Sequence, residues 1–259
     1  MNIYDAHVHM ARHVAPWRSD DSPADMVAAA RRWGITRQTV MSLGNTGYIV
    51  YPTPQELREA NSHVIALMAQ FPGEVIGYCY VSPKHPNESL EEIRRCVAEG
   101  PMKGIKLWIA AKASDPAVDP ILREAARLGV PVLQHAWYKT TGNMADESTP
   151  ADVADMARRH PDVTIQMAHL NGAGERGVQD IAPYGNIVVD TSGGEPEAGL
   201  LEYAVAELGA ERIVFGSDAP GRDYSVQLGK VLGADLTEEQ RRLILSGNML
   251  RILGIEEGD

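Results

Sequence analysis

Short apolar runs of Val, Ile, Leu and Met alternate along the chain with longer segments whose apolar residues recur at helical spacing. An extended start, Asn2-Ile3-Tyr4, leads into Asp5-Ala6-His7-Val8-His9 as a first strand. Ser22 and Pro23 carry N-cap and first-turn signals for a helix ended by Gly34, with Met26, Val27, Ala30 and Trp33 on its inward face. The later runs predict strands over 39–43, 75–81, 104–109, 130–135, 163–169, 186–190 and 212–218. Between them, helices are predicted from Thr53-Pro54 to Pro72-Gly73, over 89–98, from Asp119-Pro120 to Gly129, after Thr149-Pro150, over 175–181 and over 200–208. Helices over 224–232 and 238–250 follow the last strand, and Gly247 to Leu253 reads as a terminal helix sealing one end of the fold.

Eight strands apolar on both faces, each followed by a helical crossover, require a parallel sheet covered by helices. A doubly wound sheet and a closed barrel both give this alternation. Two features favour the (β/α)8 TIM barrel as one domain over residues 1–259. No Gly-x-Gly-x-x-Gly follows the first strand. Polar residues also gather at the C-terminal ends of strands one, five, six and eight, which share a rim only if the sheet closes. The length of 259 residues suits that fold.

Composition narrows the partners more than the chemistry. A formal charge of −11 without a basic stripe argues against nucleic acid. Cys79 and Cys96 have neither metal-pair spacing nor disulfide density and read as packed thiols of a reducing compartment. No signal peptide precedes Asp5 and no apolar run approaches the roughly 20 residues of a membrane span. The expectation is a cytoplasmic protein acting on a small molecule, with no membrane partner; a homodimer is compatible with the pattern.

Strand alternation places Asp5, His7 and His9 on one face, and two imidazoles side by side make half of a divalent-metal clamp. His135, His169 and Asp218 each end a strand and can complete it. His135 and Asp218 are the natural further ligands, and Asp218 can also accept a proton from bound water. His169 fits either a ligand or a group that polarises a carbonyl, and Asp5 either orients a ligand or pairs inside the barrel. Lys106, inward on strand four with Trp108, is costly unless paired or modified. It can neutralise carboxylates near the metal, bind a substrate carboxylate, pair with Asp5 or Asp218, or carry carbon dioxide as a carbamate bridging two metals. Arg12, His13, Tyr138, Lys139 and Arg222 are candidates for the pocket wall, and Asn45, Asn171 and Thr191 for substrate contact. His63, His85 and His160 read as surface residues. A Ser-His-Asp hydrolase is disfavoured because no Gly-x-Ser-x-Gly occurs.

Asp5-Ala6-His7-Val8-His9, His135, His169 and Asp218, in this order, resemble the amidohydrolase superfamily. Gly104-Ile105-Lys106-Leu107, Gly216-Ser217-Asp218-Ala219-Pro220 and Gly247-Asn248 are similar to segments of its amidohydrolase-related group, which includes aminocarboxymuconate semialdehyde decarboxylase, resorcylate decarboxylases and pyrone-dicarboxylate lactonase. The resemblance implies one divalent ion on His7, His9, His135 and Asp218, zinc first and manganese second, with His169 left for chemistry. Two-metal members carry a carboxylated lysine or a glutamate on strand four, so a second ion at Lys106 stays open. The chain is more compact than the decarboxylases, which favours a small substrate. Hydrolysis of an amide, lactone or ester by metal-activated water is the first expectation, with Asp218, His169 and Lys106 as catalytic residues. Non-oxidative decarboxylation of a small unsaturated or aromatic acid is the alternative, and a metal-binding scaffold without catalysis the third.

Overall fold

A computed structural model describes residues 2–10, 22–44, 47–194 and 196–256. Eight parallel strands follow one another in spatial order, β1 (Ile3–His9), β2 (Ile35–Met41), β3 (Val75–Tyr80), β4 (Gly104–Leu107), β5 (Val132–Gln134), β6 (Ile165–Met167), β7 (Ile187–Asp190) and β8 (Ile213–Val214). The first and last strands meet through main-chain bonds. Ala6 N donates to Phe215 O at 2.8 Å, Asp218 N to His7 O at 2.7 Å and His9 N to Ala219 O at 2.7 Å. The sheet therefore closes into the (β/α)8 barrel expected from the alternation.

The helices are α1 (Pro23–Arg31), α2 (Pro54–Gln70), α3 (Pro86–Ile93), α4 (Asp119–Leu128), α5 (Pro150–Arg159), α6 (Leu170–Ile181), α7 (Leu200–Leu208), α8 (Tyr224–Leu232), α9 (Glu238–Arg242) and α10 (Asn248–Leu253). Capping boxes at Ser22, Thr53 and Thr149, each followed by proline, start α1, α2 and α5 where the sequence places them. None of these helices is long and apolar enough to cross a membrane.

The main core lies between barrel and helices and holds Val8, Val40, Cys79, Ile105, Leu107, Val132, Met167, Val189 and Phe215 among its buried residues. Tyr4, Ala6 and Val214 pack instead against Met249 and Leu250. The terminal helix thus seals one end of the barrel, as its apolar sequence predicts, and the opposite end is left for polar groups.

Three expectations on elements change. Trp33 is 47% exposed rather than inward, because α1 stops at Arg31 and the chain turns through Gly34 at φ +76°. The helix predicted over 175–181 starts earlier, because Asn171 to Gly174, expected as the exit loop of strand six, belong to the first turn of α6, which is broken only at Gly174. The third alteration is in β1. Three steps from Asp5 to Val8 answer two from Gln38 to Val40, so one extra residue bulges and shifts the alternation. Asp5 therefore does not share a face with His7 and His9. Its Oδ1 accepts from the amides of His7 and Ser217, at 3.1 and 2.9 Å, across the β1–β8 seam.

Candidate metal centre

His7 and His9 leave β1 with their Nε2 atoms 3.0 Å apart. Asp218, on the turn after β8, brings Oδ1 to 3.2 Å from His9 Nε2 and 3.8 Å from His7 Nε2. Ligands about 2.0–2.2 Å from a common ion lie roughly 3–3.5 Å apart, so the 3.0 and 3.2 Å separations fit edges of one coordination polyhedron, while the 3.8 Å edge is a few tenths of an ångström long. The three form one of two candidate ligand groups among the described residues, the other being His7, His169 and Asp190. Gly216 makes the approach feasible, because a Cβ there would lie 3.0 Å from Cβ of both His7 and Asp190. Asp218 and His169 both hold positive φ, 60° and 75°, conformations that cost non-glycine residues roughly 1–3 kcal/mol each and that aim both side chains across the rim.

Hydrogen-bond partners fix where the imidazole protons sit. Asp190 Oδ2 takes His7 Nδ1–H at 2.9 Å, which leaves Nε2 as the His7 atom that faces His9 and Asp218. Ser192 donates its hydroxyl proton to Asp190 Oδ1 at 2.5 Å and therefore receives His169 Nδ1–H at 2.8 Å. Glu147 Oε1 takes His135 Nε2–H at 2.8 Å. The remaining His135 Nδ1 and His169 Nε2 face each other at 3.1 Å. Burial pushes the pKa of His135 down and that of His169 well down, so both imidazoles are neutral and two lone pairs converge. Facing lone pairs repel unless a cation lies between or beside them, and this donor set suits a divalent ion. Burial likewise drives His9 down to about 4, and its Nδ1 has no partner among the described residues. Burial also pushes Asp218 up, but the His9 hydrogen bond and the histidine field reverse this, and it stays a carboxylate.

The six predicted site residues thus end at one rim, but not in equivalent places. His7, His9 and Asp218 form the compact group, while His135 meets it through His169. Lys106 is fully buried with no hydrogen-bond partner for Nζ among the described residues, so the salt bridge with Asp5 or Asp218, one of the four roles open to it, is not formed here. Burial lowers it to about 7, against the pull of Asp190 and Asp218. Asp5 is raised to about 7 by burial, despite its amide donors, and its Oδ2 has no partner among the described residues.

Asp190, Ser192 and Glu147 are the functional candidates that sequence reasoning misses. Asp190 accepts from His7, Gln166, the His169 amide and Ser192, and its only signal was a carboxylate ending the apolar run Ile187-Val188-Val189. Glu147 gave no signal, since it lies in a polar loop just before a helix cap.

Aromatic rings surround the cluster. Tyr48 stands 5.2 Å from the His9 ring and 5.6 Å from Trp108, and Trp137 lies 4.9 Å from His169. Of the predicted wall residues, Lys139 reaches Glu147, while Tyr138 bonds Asp180 at 2.5 Å under Arg176. Arg222 is exposed on the turn after β8, its amide donating to Asp218 O at 3.1 Å. Asn171 accepts from Lys230 at 2.7 Å, and Thr191 accepts the Gly216 amide at 3.2 Å. Arg12, His13 and Asn45 lie outside the described residues.

A family model described as amidohydrolase matches residues 4–255. A 2-amino-3-carboxymuconate-6-semialdehyde decarboxylase of Dictyostelium discoideum is 23% identical over 237 residues, covering 76% of this chain. The chain spans 66% of that relative's length. Among solved structures, 2,6-dihydroxybenzoate decarboxylase from Rhizobium superposes with a TM-score of 0.81 at 17% identity, over 98% of this chain and 99% of that one. A dihydroxybenzoic acid decarboxylase from Polaromonas, holding manganese and the inhibitor 2-nitroresorcinol, gives 0.79 at 17% identity, over 98% and 97%. At these identities the structural likeness establishes the fold.

Proposed function

Because the chain belongs to the amidohydrolase family, we propose that it is a metal-dependent decarboxylase of a small, planar, unsaturated or aromatic carboxylic acid. The observation that carries this reading is the group of buried His7 and His9 with half-buried Asp218, set beside the rings of Tyr48, Trp108 and Trp137. Stacking on such rings suits a flat conjugated acid whose carboxylate would be turned toward the cluster. The decarboxylases among the relatives support the same reaction and reverse the order in which the sequence ranks hydrolysis and decarboxylation.

A divalent ion held by His7, His9 and Asp218, with His135 completing the set, would supply positive charge to orient the substrate carboxylate or a neighbouring oxygen. Manganese and zinc both suit this nitrogen and oxygen donor set. The chain's own groups handle the rest. The aromatic walls exclude water and hold the ring plane. His169 is the proton carrier, because burial makes its protonated form a strong acid and Ser192 fixes Nδ1, leaving Nε2 as the exchanging atom. The Nε2 lone pair of His169 takes up a proton from solvent; the carbon–carboxylate bond then breaks, carbon dioxide leaves, the electron pair left on carbon takes that proton, and His169 returns to its neutral form. Asp218, held as a carboxylate, accepts a proton from a substrate hydroxyl. Lys106 offsets the charge of Asp190 and Asp218 below the substrate.

The test is incubation of metal-loaded protein with hydroxybenzoates and unsaturated dicarboxylic acids in D2O. Carbon dioxide release with one deuterium at the vacated carbon is the expected result. Uptake of oxygen from labelled water into an acid product, from lactones, esters or amides and without carbon dioxide, would establish hydrolysis instead.

A further inference from the structure

His135 follows β5 directly, with Nδ1 toward His169 and Nε2 toward a buried carboxylate. That carboxylate is Glu147, fully buried, with Oε1 2.8 Å from His135 Nε2. Lys139 Nζ lies 2.8 Å from both oxygens, and the Met144 amide donates to Oε2 at 3.0 Å. His135, Lys139 and the Met144 amide all donate to Glu147, so the carboxylate only accepts. The segment is closed on itself. Trp137 N donates to Ser148 O at 3.0 Å, Asn143 Nδ2 to Trp137 O at 2.7 Å, and Ser148 Oγ takes the Ala113 amide at 2.9 Å.

We propose that Glu147, neutralised by Lys139, is a positioning residue that keeps His135 as the Nε2–H tautomer with the Nδ1 lone pair aimed at the metal cluster. The assignment rests on the reading of that cluster as a divalent-ion site. In the other tautomer, Nε2 would turn a lone pair on the carboxylate and Nδ1–H would point at His169, 3.1 Å away, where a ligand atom is needed. A carboxylate buried only for packing would be satisfied by Lys139 and Met144. The orientation of the imidazole is what the third contact adds. Carboxylates behind ligating histidines tune metal affinity by about 10–100-fold.

Two readouts separate this proposal from the metal reading. Nitrogen NMR of the histidine side chains in metal-free protein reports the tautomer without any ion, and chelator competition reports the zinc Kd. Wild type is expected to show His135 with Nε2 protonated. Glu147→Leu should scramble that tautomer and raise the zinc Kd by about 10–100-fold, with circular dichroism confirming a folded chain. Glu147→Gln keeps an acceptor without the charge, so the tautomer should persist while the Nε2 resonance moves and the Kd rises less. Lys139→Met should retain the tautomer. If Glu147→Leu fails to fold, Glu147→Gln carries the test. An unmoved Nε2 resonance with a Kd within a factor of two in that variant, or an intact tautomer in Glu147→Leu, would overturn the proposal. A Glu147-dependent tautomer in a protein that takes up no zinc or manganese would uphold the orienting contact and overturn the metal-directed role.

Discussion

Asp190→Asn replaces one oxygen with an NH2 group at the point where the site's hydrogen bonds converge. Asp190 Oδ1 accepts from the His169 amide at 3.0 Å and from Ser192 N and Oγ at 3.1 and 2.5 Å, so the asparagine oxygen must stay on that side. The new NH2 then faces two donors, His7 Nδ1 at 2.9 Å and Gln166 Nε2 at 3.1 Å. Hydrogen bonds to a charged group contribute about 1.5–3 kcal/mol each, so a rigid site would lose roughly 3–6 kcal/mol. Gln166 can flip its amide, and His7 can move its proton to Nε2, which recovers part of this. We expect a net loss of about 2–4 kcal/mol in urea unfolding of the metal-free protein. The relaxation has its own consequence, because a proton on His7 Nε2 occupies the atom that faces His9 and Asp218. Metal affinity should therefore fall by about 10–100-fold alongside stability. A stability change below about 0.5 kcal/mol together with an unchanged metal Kd would refute the proton assignment at His7.

His169→Asn should retain the metal and the fold while turnover falls by about 10²–10⁴-fold, measured as carbon dioxide release; loss of metal instead would place His169 among the ligands. Lys106→Met removes a buried cation whose pKa drops from 10.5 to about 7 on folding. Between those values the unfolded chain binds the extra proton, so wild-type stability rises with pH there and the full penalty applies below pH 7. In metal-free protein the variant should be more stable by about 3–5 kcal/mol at pH 6, with the gain vanishing near pH 10; a pH-independent difference would remove this assignment. Metal analysis in bicarbonate separately tests a carbamate, since a fall from two ions to one in Lys106→Ala would require it. Gly172→Ala improves helix propensity but puts a Cβ 2.5 Å from the Trp137 indole, so the ring must move. A stability loss of about 1–3 kcal/mol and a raised KM are expected, and an unchanged KM would take Trp137 out of the substrate wall.

The barrel was legible because its signals are local. Caps such as Thr53-Pro54 and Thr149-Pro150, and β runs such as Ile187-Val188-Val189, each name an element, and eight repeats leave few closed arrangements. His7, His9 and Asp218 were legible for the same reason, since they lie in the last residues of β1 or on the turn just after β8 and a barrel brings those ends to one rim. The β1 bulge was not, because an inserted residue leaves no mark in a sequence of seven buried positions. Reading strict alternation there put Asp5 beside the histidines, whereas the shift turns it to the seam and leaves Asp190 to hold His7.

Asp190, Ser192 and Glu147 share the reason they were missed. Their roles depend on which atom of a distant imidazole they meet, and no spacing encodes a contact between residues 183 positions apart such as His7 and Asp190. The groups proposed to bind a cation are set by strand ends, but the direction of their lone pairs is set by loops and by the neighbouring strand. Ligand identity and ligand orientation therefore carry different mutational signatures. Loss of His7 or His9 should abolish binding, whereas loss of Asp190 or Glu147 should leave a site that binds more weakly, with its imidazole protons displaced.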